Sequence, residues 1–210
     1  MNISKSTQGP RKKALILAIN AENPQHRLVK RVVEILEQGG LIAYPTDTFY
    51  GIGCDLYNKK GIRQIYRIKN RPLKKPFSFV CESLKGISQY AKVSNYAYKT
   101  MKSLLPGPYT FVLEGTKLVP KIMLTQRKSV GIRVPDNRIC LAIVEALGRP
   151  IISTSAGHDD TDAIQDAYGT FLDVIIDGGI IYPNPSSVVS LIDDIPEVIR
   201  KGKGDVSRFI

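Results

Sequence analysis

The sequence is poor in cysteine and histidine and has no long hydrophobic run. Among its 210 residues, no uninterrupted apolar stretch approaches the roughly 18 residues that a transmembrane helix requires, so no membrane span is predicted. Cys54, Cys81 and Cys140 are far apart, odd in number and without metal-ligand spacing. We therefore expect buried apolar thiols in a reduced, cytoplasmic protein, with neither a disulfide framework nor a protein-bound metal cluster.

Several common catalytic and nucleotide-binding motifs are also absent. No G-x-x-x-x-G-K-[ST] loop occurs, and Gly51-Ile52-Gly53 lacks the third glycine of a dinucleotide fingerprint. The only histidines are His26 and His158, and no G-x-S-x-G turn is present. The sequence therefore argues against a P-loop, a Rossmann cofactor site and a Ser-His-Asp mechanism.

Acidic side chains are missing between Asp55 and Glu82, in a chain whose formal net charge is +11. A basic block of this kind indicates a polyanionic partner, most often nucleic acid, or a pocket for an anionic substrate. A solvated helix face is the alternative, and the sequence leaves these possibilities open. The block consists of Lys59, Lys60, Arg63, Arg67, Lys69, Arg71, Lys74 and Lys75.

Hydrophobic periodicity predicts alternating helices and strands behind a short tail. Residues 1–13 are polar and basic, without the apolar core of a secretory signal, and we expect a disordered tail before a domain at 14–210. The alternation predicts a mixed α/β fold, and the polar segment at 157–163 is predicted to be an exposed loop. Helices are predicted at 26–38, 61–69, 96–105 and 138–147, and strands at 15–19, 41–44, 77–81, 109–113, 130–134, 151–154, 174–176, 187–191 and 198–200.

Short segments at the ends of these elements carry hydroxyl groups and cations. Tyr44-Pro45-Thr46-Asp47-Thr48-Phe49-Tyr50-Gly51 includes the end of an apolar strand, and Lys69-Asn70-Arg71-Pro72 ends a helix. Hydroxyls and backbone amides facing two fixed cations suit a phosphate-bearing small molecule. Comparable segments are Pro106-Gly107-Pro108-Tyr109-Thr110, Gly131-Ile132-Arg133-Val134-Pro135, Ser153-Thr154-Ser155, Pro185-Ser186-Ser187 and Arg200-Lys201-Gly202.

As a set, these segments resemble the YrdC/Sua5 family of threonylcarbamoyl-AMP synthases over residues 39–204, and residues 148–155 look closest to its YciO-like branch. The resemblance implies a single domain with a twisted mixed β-sheet, flanking helices and a large open basic cavity. It also implies a nucleotidyl transfer in which L-threonine, bicarbonate and ATP give threonylcarbamoyl-AMP and pyrophosphate, the first step of the t6A modification of tRNA. Mg²⁺ would accompany the ATP.

The resemblance assigns roles to individual residues of this chain. Lys69 and Arg71 match the family's Lys-x-Arg pair and would stabilise charge on the triphosphate, with Ser155 as the third catalytic residue. Thr46 and Thr48 would provide hydroxyls to a threonine pocket, and the alternative for one of them is a cap for the turn. The other predicted substrate-binding residues are Thr110, Arg133, Ser153, Ser187 and Arg200.

One position departs from the family pattern. Gly157 stands where the family's Ser-x-Asn motif has asparagine, so backbone alone replaces an amide donor and acceptor. This change and the basic block favour a second hypothesis, in which the same cavity binds tRNA, rRNA or double-stranded RNA without turnover. Retention of Lys69, Arg71 and Arg133 favours the enzyme. Neither hypothesis involves a membrane or fixes an oligomeric state.

Overall fold

The computed structural model of the protein describes residues 13–73 and 75–210. Within these residues the backbone forms ten β-strands and six α-helices, beginning at Leu15. Apart from Lys13, the tail expected at 1–13 lies outside the described residues.

The strands and helices alternate along much of the chain. The helices are α1 (His26–Glu37), α2 (Lys59–Ile68), α3 (Leu84–Tyr90), α4 (Asn95–Lys102), α5 (Arg138–Leu147) and α6 (Thr161–Tyr168). The strands are β1 (Leu15–Ala18), β2 (Ile42–Tyr44), β3 (Gly51–Gly53), β4 (Ser78–Val80), β5 (Tyr109–Glu114), β6 (Ser129–Arg133), β7 (Ile151–Ser155), β8 (Val174–Asp177), β9 (Ser187–Ser190) and β10 (Glu197–Arg200).

The described strands form one sheet in the order β1-β8-β2-β3-β7-β4-β6-β5-β9-β10. Neighbours run parallel in the pairs β1–β8, β2–β8, β4–β6 and β5–β9. They run antiparallel in β2–β3, β3–β7, β4–β7, β5–β6 and β9–β10. The predicted mixed sheet with flanking helices is confirmed.

Two apolar cores cover opposite faces of the sheet. Ala43 belongs to one core and its neighbours Ile42 and Tyr44 to the other, as the alternation of side chains along a strand requires. α1 and α5 pack on the Ile42 side, and α2, α3, α4 and α6 contribute to the core on the Ala43 side. α5 ends where Gly148 adopts the left-handed conformation, at φ 69°.

Three elements were not expected from the sequence. β3 is only three residues long and two of them are glycine, which has low strand propensity, while α3 is too short to show clear periodicity. The loop predicted at 157–163 is wrong at its end, because α6 begins at Thr161. The Asp160 carboxylate accepts the Ala163 N–H at 2.7 Å and caps that helix.

The three cysteines are buried, and the described helices are short. Cys54, Cys81 and Cys140 are buried and free, and burial raises the pKa of each thiol. Each therefore remains protonated near neutral pH. Over the described part of the chain, no helix is long and apolar enough to cross a membrane.

Candidate active site

A cavity of about 440 Å³ lies over the central strands of the sheet. β5 pairs with both β6 and β9, and β4 joins β6 to β7, so segments far apart in sequence meet at its walls. Five of the predicted site residues line it: Arg71, Thr110, Arg133, Ser153 and Arg200. Three of the five are arginines, which makes the cavity suited to an anionic ligand.

Arg133, at the end of β6, is the most deeply buried cation of the cavity wall. Its side chain is 2% exposed, and its Nη2 donates to Asp47 Oδ1 at 2.8 Å and to Thr48 Oγ1 at 2.9 Å. The guanidinium also lies 5.4 Å from the centre of the Phe49 ring. The turn after β2 is thereby fixed against the end of β6. Asp47 was not among the predicted site residues, although it lies between two of them in the quoted motif.

Arg133 and Asp47 do not satisfy each other completely. Arg133 Nε and Nη1 and Asp47 Oδ2 are buried and have no hydrogen-bond partner among the described residues. Buried charged groups without partners carry a large desolvation cost. A ligand with both acceptor and donor atoms would supply the missing bonds.

Thr46 has a different environment from Thr48. Its hydroxyl donates to the Phe49 carbonyl at 2.6 Å and accepts the N–H groups of Thr48 and Phe49, each at 3.2 Å. Thr46 therefore holds the turn, which is the alternative that the sequence left open for one of the two threonines. Thr48 contacts Arg133 directly, and its hydroxyl lies 3.1 Å from that of Thr46.

Ser186 connects Thr110 and Arg200 at a second wall of the cavity, and it was not among the predicted site residues. The Ser186 hydroxyl lies 2.9 Å from that of Thr110, and the Ser186 carbonyl accepts Arg200 Nη2 at 2.8 Å. Partial burial, and then the positive charge of Arg133, lower the pKa of Arg200. A bound anion would relieve this repulsion. The Pro185-Ser186-Ser187 segment carries the sequence signal for this wall, although the prediction named only Ser187 from it.

The Lys-x-Arg pair is divided between two places. Arg71 lines the cavity, where its Nε donates to the Lys75 carbonyl at 2.7 Å. Lys69 is not part of the cavity wall, and its ammonium donates to the Tyr168 hydroxyl at 2.8 Å. Of the two residues, only Arg71 therefore lines the cavity.

Three serines were predicted for the site, and they occupy three different settings. Ser153 lines the cavity. Ser155 lies outside its wall, and its hydroxyl accepts the Gly157 N–H at 3.0 Å. Ser187 is fully buried away from it: the hydroxyl donates to the Gly204 carbonyl at 2.5 Å and accepts the Gly202 N–H at 3.0 Å. Ser187 thus anchors the C-terminal segment to β9, and a ligand contact for it stays a prediction.

Residues 34–202 match a family model that joins Sua5, YciO and YrdC and is described as telomere recombination. The match covers most of the chain. This protein belongs to the Sua5–YciO–YrdC family. The resemblance seen in the sequence motifs is therefore confirmed.

Members of the Sua5–YciO–YrdC family are similar to this chain in sequence and in structure. The uncharacterized protein YciO of Escherichia coli K12 is 42% identical over 200 residues, which cover 91% of this chain and 97% of YciO. The crystal structure of E. coli YciO superposes with a TM-score of 0.90 at 41% identity, covering 94% of this chain and 100% of that one. The YciO-like character predicted from the sequence agrees with this similarity.

Two further family members carry names that describe an activity or a ligand. A putative threonylcarbamoyl-AMP synthase of Methanocaldococcus jannaschii is 33% identical over 200 residues, covering 89% of this chain and 92% of that protein. The crystal structure of P. abyssi Sua5 complexed with L-threonine has a TM-score of 0.83 at 26% identity, and the match covers 90% of this chain and 58% of that one.

Proposed function

We propose that this protein forms threonylcarbamoyl-AMP and pyrophosphate from L-threonine, bicarbonate and ATP. The observation that carries the proposal is the incompletely satisfied Arg133–Asp47 pair at the wall of a cavity of about 440 Å³. The names of the M. jannaschii and P. abyssi relatives support the same chemistry.

The unpaired atoms complement a free amino acid. Arg133 Nε and Nη1 lie on different edges of the guanidinium, and one of them would donate to an oxygen of an α-carboxylate in a charge-assisted hydrogen bond. Asp47 Oδ2 would accept from the amino group. A neutral apolar ligand would leave all three atoms unpaired and is therefore disfavoured.

The proposed reaction needs cations more than it needs an acid or base residue. The threonine nitrogen bonds to the carbon of bicarbonate with loss of water, and an oxygen of the resulting carbamate bonds to the α-phosphorus as the bond to pyrophosphate breaks. Arg71 and Arg200 line the cavity and would stabilise the charge that accumulates on the phosphates. Because the described residues hold no group of three or more His, Cys, Asp or Glu side chains able to bind a metal, Mg²⁺ would be held chiefly by the nucleotide.

The test is pyrophosphate release by the purified protein from ATP, Mg²⁺ and bicarbonate, with and without L-threonine. We expect threonine-dependent release, and a fall in kcat/KM for threonine of about tenfold to a hundredfold in Arg133→Lys. A single ammonium cannot hold Asp47 and Thr48 and also place a second donor toward the ligand, as the planar guanidinium does. Arg138→Lys is the matched control, since that exposed arginine pairs with Glu22 on the surface. A folded protein that releases no threonine-dependent pyrophosphate would refute the proposal.

A second candidate function is RNA binding through backbone phosphates. Lys59, Lys60, Arg63 and Arg67 are exposed along α2, and within the described chain no ion pair joins them to an acidic side chain. Arg71 continues this basic face into the cavity.

Salt dependence distinguishes phosphate contacts from other modes of RNA binding. We expect the affinity for a structured RNA to fall steeply as salt increases, and Arg63→Ala with Arg67→Ala to reduce the slope of log K against log[salt] by about two. Lys92→Ala, which removes a lysine already paired with Glu114, is the control. An unchanged slope in the double variant would exclude this face.

A further inference from the structure

Lys69 is held outside the 440 Å³ cavity by a tyrosine from α6. Its ammonium donates to the Tyr168 hydroxyl at 2.8 Å and lies 3.5 Å from the Ala156 carbonyl. The Tyr168 ring is 4.9 Å from the lysine nitrogen and 5.8 Å from the centre of the His158 ring. Lys69, Tyr168 and the segment around Gly157 therefore form one cluster beside the cavity.

Both members of the Lys69–Tyr168 pair keep a hydrogen available for a ligand. An ammonium has three N–H donors, and those of Lys69 reach only Tyr168 and, at long range, Ala156 within the described chain. The Tyr168 oxygen accepts from Lys69, so its own hydrogen points elsewhere, and no described residue accepts it. An N–H and an O–H donor on a cationic centre are complementary to an oxyanion.

The neighbouring backbone leaves room for such a ligand. Gly157 has no side chain, adopts φ +82°, and has no atom within 4 Å of where a Cβ would stand. The position therefore contributes no side-chain donor beside Lys69, whereas the phenol of Tyr168 does contribute one.

We propose that Tyr168 is a nucleotide-binding residue, which together with Lys69 donates to phosphate oxygens of ATP and supplies the donor that Gly157 lacks. The identity of the ligand rests on the proposed function. A contact between Tyr168 and ATP does not require turnover. ATP affinity therefore tests the role of Tyr168, and pyrophosphate release tests the synthase activity.

The experiment is isothermal titration of the full chain with ATP, with pyrophosphate and with L-threonine. Tyr168→Phe keeps the ring and removes one hydroxyl, and we expect about a tenfold loss of affinity for ATP and pyrophosphate with unchanged affinity for threonine. Tyr98→Phe, on an exposed tyrosine of α4, should change none of these. Thermal melting establishes that each variant is folded.

A rescue variant separates ligand binding from a merely structural role. Gly157→Asn should restore phosphate affinity in the Tyr168→Phe background, because asparagine tolerates positive φ better than most residues and finds open space there. The assignment would be overturned if Tyr168→Phe left ATP affinity unchanged or lowered the affinities for ATP and threonine equally. It would also be overturned if the wild type did not bind ATP, or if Gly157→Asn gave no rescue. ATP binding without pyrophosphate release would refute the synthase activity alone.

Discussion

Replacing Arg133 with methionine should destabilise the whole domain. The Arg133 and Asp47 side chains are 2% and 8% exposed, and Arg133 provides the hydrogen-bonded cationic partner of Asp47 Oδ1. Truncating one member of a buried pair leaves the other charge uncompensated, which costs about 3–5 kcal/mol. Since domains of this size lose roughly 2–4 °C in Tm per kcal/mol, we expect Arg133→Met to melt about 6–20 °C below the wild type.

A double variant isolates the charge from the loss of packing. Asp47→Asn removes the carboxylate that Arg133→Met leaves unpaired, so the combined variant should recover about 2 kcal/mol relative to the sum of the single changes. Because the chain contains no tryptophan, urea unfolding is followed by far-UV circular dichroism with tyrosine fluorescence as a second probe. A small cost for Arg133→Met, or strictly additive single costs, would refute the account of this pair.

Three other predictions concern residues outside the Arg133–Asp47 pair. Lys69→Ala with Arg71→Ala should weaken ATP binding by at least about tenfold in a titration, while Lys92→Ala should not; equal affinities would remove the pair from the site. Ser187→Ala should lower the free energy of unfolding by about 1–3 kcal/mol without changing ATP affinity. The reason is that the Ser187 hydroxyl bonds only to the backbone of Gly202 and Gly204 in the described structure. A loss of ATP affinity without a loss of stability would instead indicate that Ser187 contacts the ligand. Burial raises the pKa of Cys140, so the thiol loses its proton at a lower pH in the unfolded chain than in the folded one. Deprotonation therefore favours the unfolded chain, and the urea midpoint should fall as pH rises above about 8.5. A constant midpoint up to about pH 10 would contradict this.

The sequence predicts the sheet better than it predicts the contacts within the site. Strands such as β2 and β8 consist largely of apolar residues, so their burial is a local property of the sequence. The predicted helix 138–147 coincides with α5. β3 was not predicted because its glycines have low strand propensity. It is a strand because its backbone pairs with β2 and β7.

The candidate site residues were predicted from motifs, but their environments depend on distant segments. Asp47 pairs with a residue 86 positions away, and Ser186 meets Thr110 from 76 positions away. Neither distance leaves a periodic signal in the chain. Thr46 and Ser187 were predicted to contact a ligand, but in the folded structure their hydroxyls donate to the backbone carbonyls of Phe49 and Gly204.

The pairing of β5 with β9 has a consequence for synthesis of the protein. Ser186 and Arg200, which form one wall of the cavity, leave the ribosome well over a hundred residues after Arg71. At about 5–20 residues per second, roughly 6–26 s pass between the synthesis of Arg71 and that of this wall. A nascent chain that still lacks β9 and β10 therefore has Arg71 and Arg133 but not Arg200, and the cavity gains its last wall only when these strands have joined the sheet.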